Sequence, residues 1–213
     1  MRTARQNPAA ERILDIAERL AQTRGFNGFS YADIAEQLAV TKASLHYHFP
    51  SKSELGRTLI VRYQVVFGRA LETIDAESGT ALEKLRRYIA LYDGVLRDDR
   101  MCLCGMFAAE YATLPEPMQE ELRRFFDANE VWLARVLAEG ERAGEFALWD
   151  SPEERARVFL GALEGAMLVA RSYKDDRRFR VAAEHLLADL QPASRTSKKA
   201  GKPQPPRRRR RSA

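Results

Sequence analysis

The chain has 213 residues, 45% hydrophobic and 31% charged, enough for one large domain, or for a small domain beside a larger one, with a real core. No window approaches the ~18 apolar residues of a membrane span. Met1 to Glu11 is polar and lacks the apolar stretch of a signal peptide, and Cys102 and Cys104 sit too close together to be a disulfide framework, so a cytoplasmic protein is expected.

The formal net charge of +5 is a property of one end. Nine of the 35 Lys/Arg and no acid lie from Pro192 onward, which leaves 26 basic against 30 acidic residues before it, a net −4. The basic character of the whole chain is therefore a weak argument for DNA binding by its body. Residues 1–57 are mildly basic by themselves, with eight Lys/Arg against six acids.

Helical spacing runs through the chain and strand alternation is nearly absent. Asn7-Pro8 reads as an N-cap and first-turn proline. Ile13, Ile16, Ala17, Leu20 and Ala21 follow on one apolar face. Gly25 ends this helix, and Phe26 and Phe29 plug a small core from the loop. Ser30-Tyr-Ala-Asp33 opens a second, short helix with Ile34, Ala35 and Leu38 inward. A turn falls at Ala39-Val40, and Thr41 caps a third helix over Lys42 to Phe49, closed by Pro50. Ser51-Lys-Ser-Glu54 is a full capping box that opens a long helix to about Ala76. Further helices are predicted at about 80–97, 101–113, 117–143, 152–174 and 177–190. Residues 192–213 hold Pro, Ser, Lys and Arg with almost nothing apolar and are expected to be disordered. The five arginines Arg207 to Arg211 either add non-specific DNA affinity or are simply solvated. The fold class is thus all-α, with a three-helix domain at 8–57, a larger helical domain at 58–191 and a basic tail at 192–213.

Helix, short helix, tight turn and helix make a helix-turn-helix whose last helix can enter the ~12 Å major groove. In that third helix Leu45 and Phe49 face inward. Lys42, Ala43, Ser44, His46, Tyr47 and His48 face outward and offer donors, a small residue for a thymine methyl and a phenol for a phosphate. Lys52 stands at the start of the next helix, where free backbone N–H groups suit a phosphate.

These residues resemble a known family. The text ILDIAERLAQTRGFNGFSYADIAEQLAVTKASLHYHFPSKSEL within residues 12–57 is similar to the N-terminal domain of TetR-type repressors, in the AcrR-like branch. The G-F/G-F loop, the D-I-A of the second helix, L-H-Y-H-F and S-K-x-x-L all stand in register. His46 is a departure, since Tyr is frequent there. The segment MCLCGMFAAEYATLPEPMQEELRRFFDANEVWL resembles the C-terminal text of one branch. The resemblance implies a two-domain homodimer on palindromic double-stranded operator DNA, contacted by Thr41, Lys42, Ser44, Tyr47, His48 and Lys52. It also implies a small-molecule effector in the C-terminal domain that shifts the spacing of the two recognition helices.

In the larger domain, Met106, Phe107, Tyr111, Phe125, Trp132 and Met167 stand at helical spacing and are either plain core or the lining of a ligand cavity, with Cys104 beside them. Glu110, between apolar residues, either orients a ligand or points to solvent. Cys102 and Cys104 either pack as small apolar groups or sense electrophiles, since a thiolate near Arg97 or Arg100 at a helix N-terminus would have a lowered pKa. A metal is not expected. His46 and His48, and likewise Cys102 and Cys104, are two residues apart and point about 200° apart on a helix. No cofactor is expected either. G-x-S-x-G, H-E-x-x-H, P-loop and dinucleotide patterns are absent and only three histidines exist, which argues against an enzyme. The small residues Gly161, Ala162, Gly165, Ala166 and Ala170 allow close helix approach, either within one chain or across a two-fold axis with 177–190. A ligand-independent or architectural DNA-binding protein is the alternative to the ligand-responsive repressor.

Overall fold

The computed structural model describes residues 8–192. Among these residues there are nine α-helices and no strand: α1 (Pro8–Arg24), α2 (Tyr31–Leu38), α3 (Lys42–His48), α4 (Lys52–Glu77), α5 (Ala81–Arg97), α6 (Leu103–Ala109), α7 (Glu116–Arg142), α8 (Pro152–Tyr173) and α9 (Arg177–Ala188). A 3-10 turn, Tyr111–Thr113, follows α6. No helix among the described residues is long and apolar enough to cross a membrane. The expectations for the basic tail fall on residues 193–213 and lie outside the described residues.

Local chemistry sets most boundaries. The side chains of Ser51, Thr80 and Ser151 accept from the amides three residues on, at Glu54, Glu83 and Glu154, each satisfying one orphan donor of a first turn. Ser30 and Asp33 close a reciprocal capping box on α2. Gly25, at φ +80°, takes the left-handed position after α1, which costs glycine nothing. Ala39 takes the same conformation at φ 54° between α2 and α3 and sets the tight turn of the helix-turn-helix.

The helix expected over 101–113 is divided. The Met101 amide donates to the Gln22 carbonyl, so the helix begins only after Cys102. The Glu110 amide bonds to Phe107, three residues back, which tightens the end into the 3-10 turn.

Ile13, Leu14, Ala17, Leu20, Ile34, Leu45, Phe49, Leu55 and Leu59 are buried together under α1 to α4. Each such side chain contributes about 1.5–3 kcal/mol by leaving water, and emptying the Leu45 position would cost roughly 2–5 kcal/mol. Arg62 on α4 ties the two ends of this unit by pairing with Glu11, Asp15 and Glu18 of α1 at 3.3, 2.8 and 2.7 Å. Beyond this unit, α4 packs with α5, α6 and α7 in the larger helical domain. An aromatic cluster of Tyr63, Phe67, Tyr88, Tyr92, Phe125 and Trp132 fills its centre.

Candidate nucleic-acid interface and the cleft behind it

α3 buries one side and offers the other. Leu45 and the following Phe49 are in the core, while Thr41, Lys42, Ala43, Ser44, His46 and Tyr47 are exposed and His48 is half-exposed. Thr41 is the N-cap and accepts from the Ser44 amide at 3.3 Å. Tyr47 is 83% exposed, an unusual solvation for so large a ring, and meets the His48 ring edge-on at 5.2 Å. The Tyr31 hydroxyl donates to the Phe49 carbonyl at 2.7 Å and fixes the far end of α3 on α2.

Two of the sequence-predicted residues stand differently from the expectation. His46 leans back from the outward face: its ring lies 4.7 Å from that of Tyr31, and Nδ1 is 3.3 Å from the Pro50 carbonyl. Lys52 turns inward as well. Its Nζ donates to the Phe26 carbonyl at 2.5 Å and sits 4.5 and 4.6 Å from the Phe26 and Phe29 ring centroids. Burial lowers the pKa of this ammonium, against the pull of Glu110 and Asp33. A lone cation half out of water gains from a carbonyl and two π-faces. Lys42, His46 and Lys52 nevertheless ring one shallow depression of about 340 Å³ with Ser30, Tyr31 and Ala32. The last three were not among the predicted contacts. They flank the start of α2, where the Ser30 amide already donates to Asp33 and the Ala32 amide to the Ser30 hydroxyl.

The loop between α1 and α2 is gripped from the larger domain. Glu110, read from the sequence as either orienting a ligand or pointing to solvent, turns its carboxylate onto this loop. Its Oε2 accepts from the Phe26 amide at 2.6 Å, and both oxygens lie 3.2–3.3 Å from the Asn27 amide. A Cβ on Gly25 would stand 2.7 Å from Glu110 Oε1, so glycine is required there by contact as well as by φ. Arg171 of α8 holds the end of α1 by donating to the carbonyls of Gln22, at 3.0 Å, and Thr23. Arg100 reaches the Gln22 side chain at 3.0 Å. A cation at the last carbonyls of a helix suits both the orphan acceptors and the dipole.

The expected ligand-lining set is corrected. Phe107, Phe125 and Cys104 are fully buried core, and Trp132 stacks on Tyr88 at 5.4 Å while its Nε1 donates to Asp75. Tyr111 is on the surface, its hydroxyl accepting from Arg123. None of these lines the cleft that does exist between α6, α7 and α8. That cleft has a volume of about 500 Å³ and is walled by Gly105, Ala108, Ala109, Phe126, Glu130, Arg157, Leu160, Gly161, Glu164 and Leu168. Of the small-residue stripe read from the sequence, only Gly161 borders this cleft.

The cysteines are corrected too. Both thiols are buried, and burial pushes both well above the usual thiol range, with Glu164 adding to the effect. Cys102 does cap α6, its Sγ accepting from the Gly105 amide at 3.4 Å, but desolvation outweighs the helix terminus, and an activated thiolate does not form.

Glu164 was absent from the candidates. It lines the cleft beside Gly105, another wall residue, where an added Cβ would lie 2.1 Å from Glu164 Oε2. Both oxygens are shielded from water and neither has a hydrogen bond of good geometry. Burial raises its pKa to about 7, opposed by the facing Cys102 thiol.

A capped, exposed third helix carried on a small tri-helical unit, itself clamped to a larger helical domain, defines a helix-turn-helix DNA-binding transcriptional regulator. Residues 13–57 match the family model of bacterial regulatory proteins of the tetR family, and residues 81–186 match the tetracyclin repressor-like C-terminal domain. A TetR-family transcriptional regulator from Agrobacterium tumefaciens superimposes with a TM-score of 0.84 at 33% identity, covering 87% of this chain and all of that one. The transcriptional regulator AcuR of Cereibacter sphaeroides is 26% identical over 70% of this chain and 69% of its own length. The nucleoid occlusion factor SlmA of Vibrio atlanticus is 24% identical over 78% of this chain and 84% of its own length. The chain belongs to the TetR family.

Proposed function

We propose that this regulator is a ligand-responsive repressor that binds a two-fold symmetric operator as a homodimer, with residues 8–57 reading DNA, 58–191 dimerising and taking an effector, and 192–213 acting as a tail. Thr41, Lys42, Ser44, Tyr47 and His48 contact the duplex from α3. Lys42, His46 and Lys52 seat a phosphate in the depression they share with Ser30 to Ala32, the lysine charges supplying the attraction. Lys52 reaches it by exchanging the Phe26 carbonyl for the phosphate.

The observation that carries the reading is the position of the cleft. One wall, α6, ends in Glu110, which holds the Phe26 loop. Another wall, α8, ends near Arg171, which holds α1. A molecule that parts α6 from α8 therefore moves both clamps and tilts the small unit as a body. For a dimer spanning half-sites about 34–36 Å apart, a small tilt weakens binding by misplacing one recognition helix.

The dimer seam is assigned to α8 and α9. Gly165, Ala166 and Val169 of α8 and Val181 and Ala182 of α9 border an apolar groove of about 590 Å³. Val169 and Val181 stand exposed along it, a pattern that suits a four-helix bundle with a second copy. The test is a footprint of the full chain on the DNA flanking its own gene, at stated salt. A protected symmetric site supports the reading; protection without symmetry or discrete boundaries overturns it. The likeness to a nucleoid occlusion factor favours a second reading, a DNA-binding protein without a small-molecule effector, which the same footprint joined to a search for releasing ligands separates.

A further inference from the structure

Asn129 and Glu121, buried in the larger domain, are both satisfied, and of the groups that are not, Glu164 alone has both carboxyl oxygens unpartnered among the described residues. Asn129 bonds Tyr88 and the Phe125 carbonyl at 3.1 and 2.8 Å, and Glu121 pairs with Arg57 and Arg124 at 2.9 and 3.0 Å. Glu164 is not: both carboxyl oxygens are buried with no hydrogen bond of good geometry, only the weakly donating Cys102 thiol faces them, and it makes no ion pair with any described residue. A buried carboxyl in this condition costs several kcal/mol if ionised, and such a group in a native fold calls for an explanation.

The titratable groups around it supply no cation. Tyr63 of α4, Tyr88 and Tyr92 of α5, and Cys102 and Cys104 at α6 all feel its charge, and burial keeps all five neutral. Arg157 of α8, at the cleft rim, is engaged by Glu130 of α7 at 3.3 Å. The rest of the cleft wall is small or apolar: Gly105, Ala108, Phe126, Leu160 and Leu168.

We propose that the cleft between α6, α7 and α8 binds a small organic cation, an apolar body carrying a protonated nitrogen, with the Glu164 carboxylate as its counter-ion. This rests on the reading of the cleft as the effector site and names the class of effector. An anion would meet a desolvated carboxyl, and a neutral molecule could offer it a hydrogen bond but no counter-charge, so charge favours a cation. Because free Glu164 is largely protonated below neutrality and ionised in the complex, binding releases a proton at about pH 6.

The experiment is calorimetric titration of the full chain with benzylammonium, benzyl alcohol and benzoate, at about pH 6 and about pH 7, in buffers of different ionisation heat. Benzylammonium is expected to bind at least about tenfold more tightly than the other two, with proton release at the lower pH. Glu164→Gln is expected to weaken it about ten- to hundredfold while leaving benzyl alcohol unchanged. Ala109→Trp, at an exposed wall position, narrows the cleft without touching the carboxyl and should exclude the probe even if the glutamine variant folds poorly. Equal affinity for the alcohol, unchanged affinity in both variants, or no binding of benzylammonium overturns the proposal. Binding through Glu164 that leaves DNA affinity untouched upholds the ligand class and removes the release mechanism. Release of DNA by benzoate with no binding of benzylammonium does the reverse.

Discussion

The Glu110 carboxylate, carried at the end of α6, accepts from the Phe26 amide at 2.6 Å across 84 residues of sequence. This one acid joins the larger domain to the loop on which the DNA-binding helices turn, and it stands 2.7 Å from where a Gly25 Cβ would be. Replacing it with Ala leaves two amides without their charged acceptor. The expected cost is roughly 2–4 kcal/mol, or a fall of roughly 5–10 °C in thermal midpoint, with weaker DNA binding although no DNA contact is removed. A variant that keeps both its midpoint and its affinity would show that the clamp is decorative.

Tyr47 is the cleanest separation of binding from folding. Its ring is 83% exposed, so Tyr47→Ala should leave stability within about 0.5 kcal/mol while weakening DNA binding across sequences, as loss of a phosphate contact does. Lys52→Ala should do both harms, because Nζ also bonds Phe26 and covers two rings. Melting and gel-shift titrations of the pair check this. Full affinity in both would displace α3 as the recognition helix.

Arg171→Met retains bulk but removes the two bonds to the last carbonyls of α1. Amides of residues 21–29 are expected to exchange hydrogen faster, by a factor of roughly ten or more for a loss of ~1.5–3 kcal/mol. Exchange unchanged in that segment would mean that Arg100 and Met101 suffice.

Glu164 makes stability depend on pH. Its folded pKa of about 7 lies above the ordinary 4.5, so the folded state binds more protons than the unfolded state between those values. Stability therefore falls as pH rises from about 4.5 to about 7, by on the order of 3 kcal/mol. Glu164→Gln should flatten that slope and be the more stable protein at neutral pH. Urea unfolding midpoints of both proteins across the window measure it, and parallel slopes would refute a buried, unpaired carboxyl.

The two thiols should be slow. Burial disfavours their thiolates, so iodoacetamide at neutral pH is expected to modify the native protein at least about a hundredfold more slowly than the urea-unfolded chain. Rapid native labelling of Cys102 or Cys104 would restore the electrophile-sensing alternative.

The sequence by itself determined most of the helices, their caps and the place of the helix-turn-helix. These depend on periodicity and on residues three or four apart, such as Ser51 with Glu54 or Leu45 with Phe49, and the helix-turn-helix text is contiguous. Only the tertiary structure decided what Glu110, Arg171, Lys52 and Glu164 do. The partners of the first three lie tens to nearly 150 residues away along the chain. No spacing rule says which buried acid finds two amides and which finds none. The same limit explains the misplaced ligand set: aromatic residues at helical spacing fill a core when neighbouring helices close on them, whereas space opened beside Gly105 and Gly161, where side chains are too small to fill it.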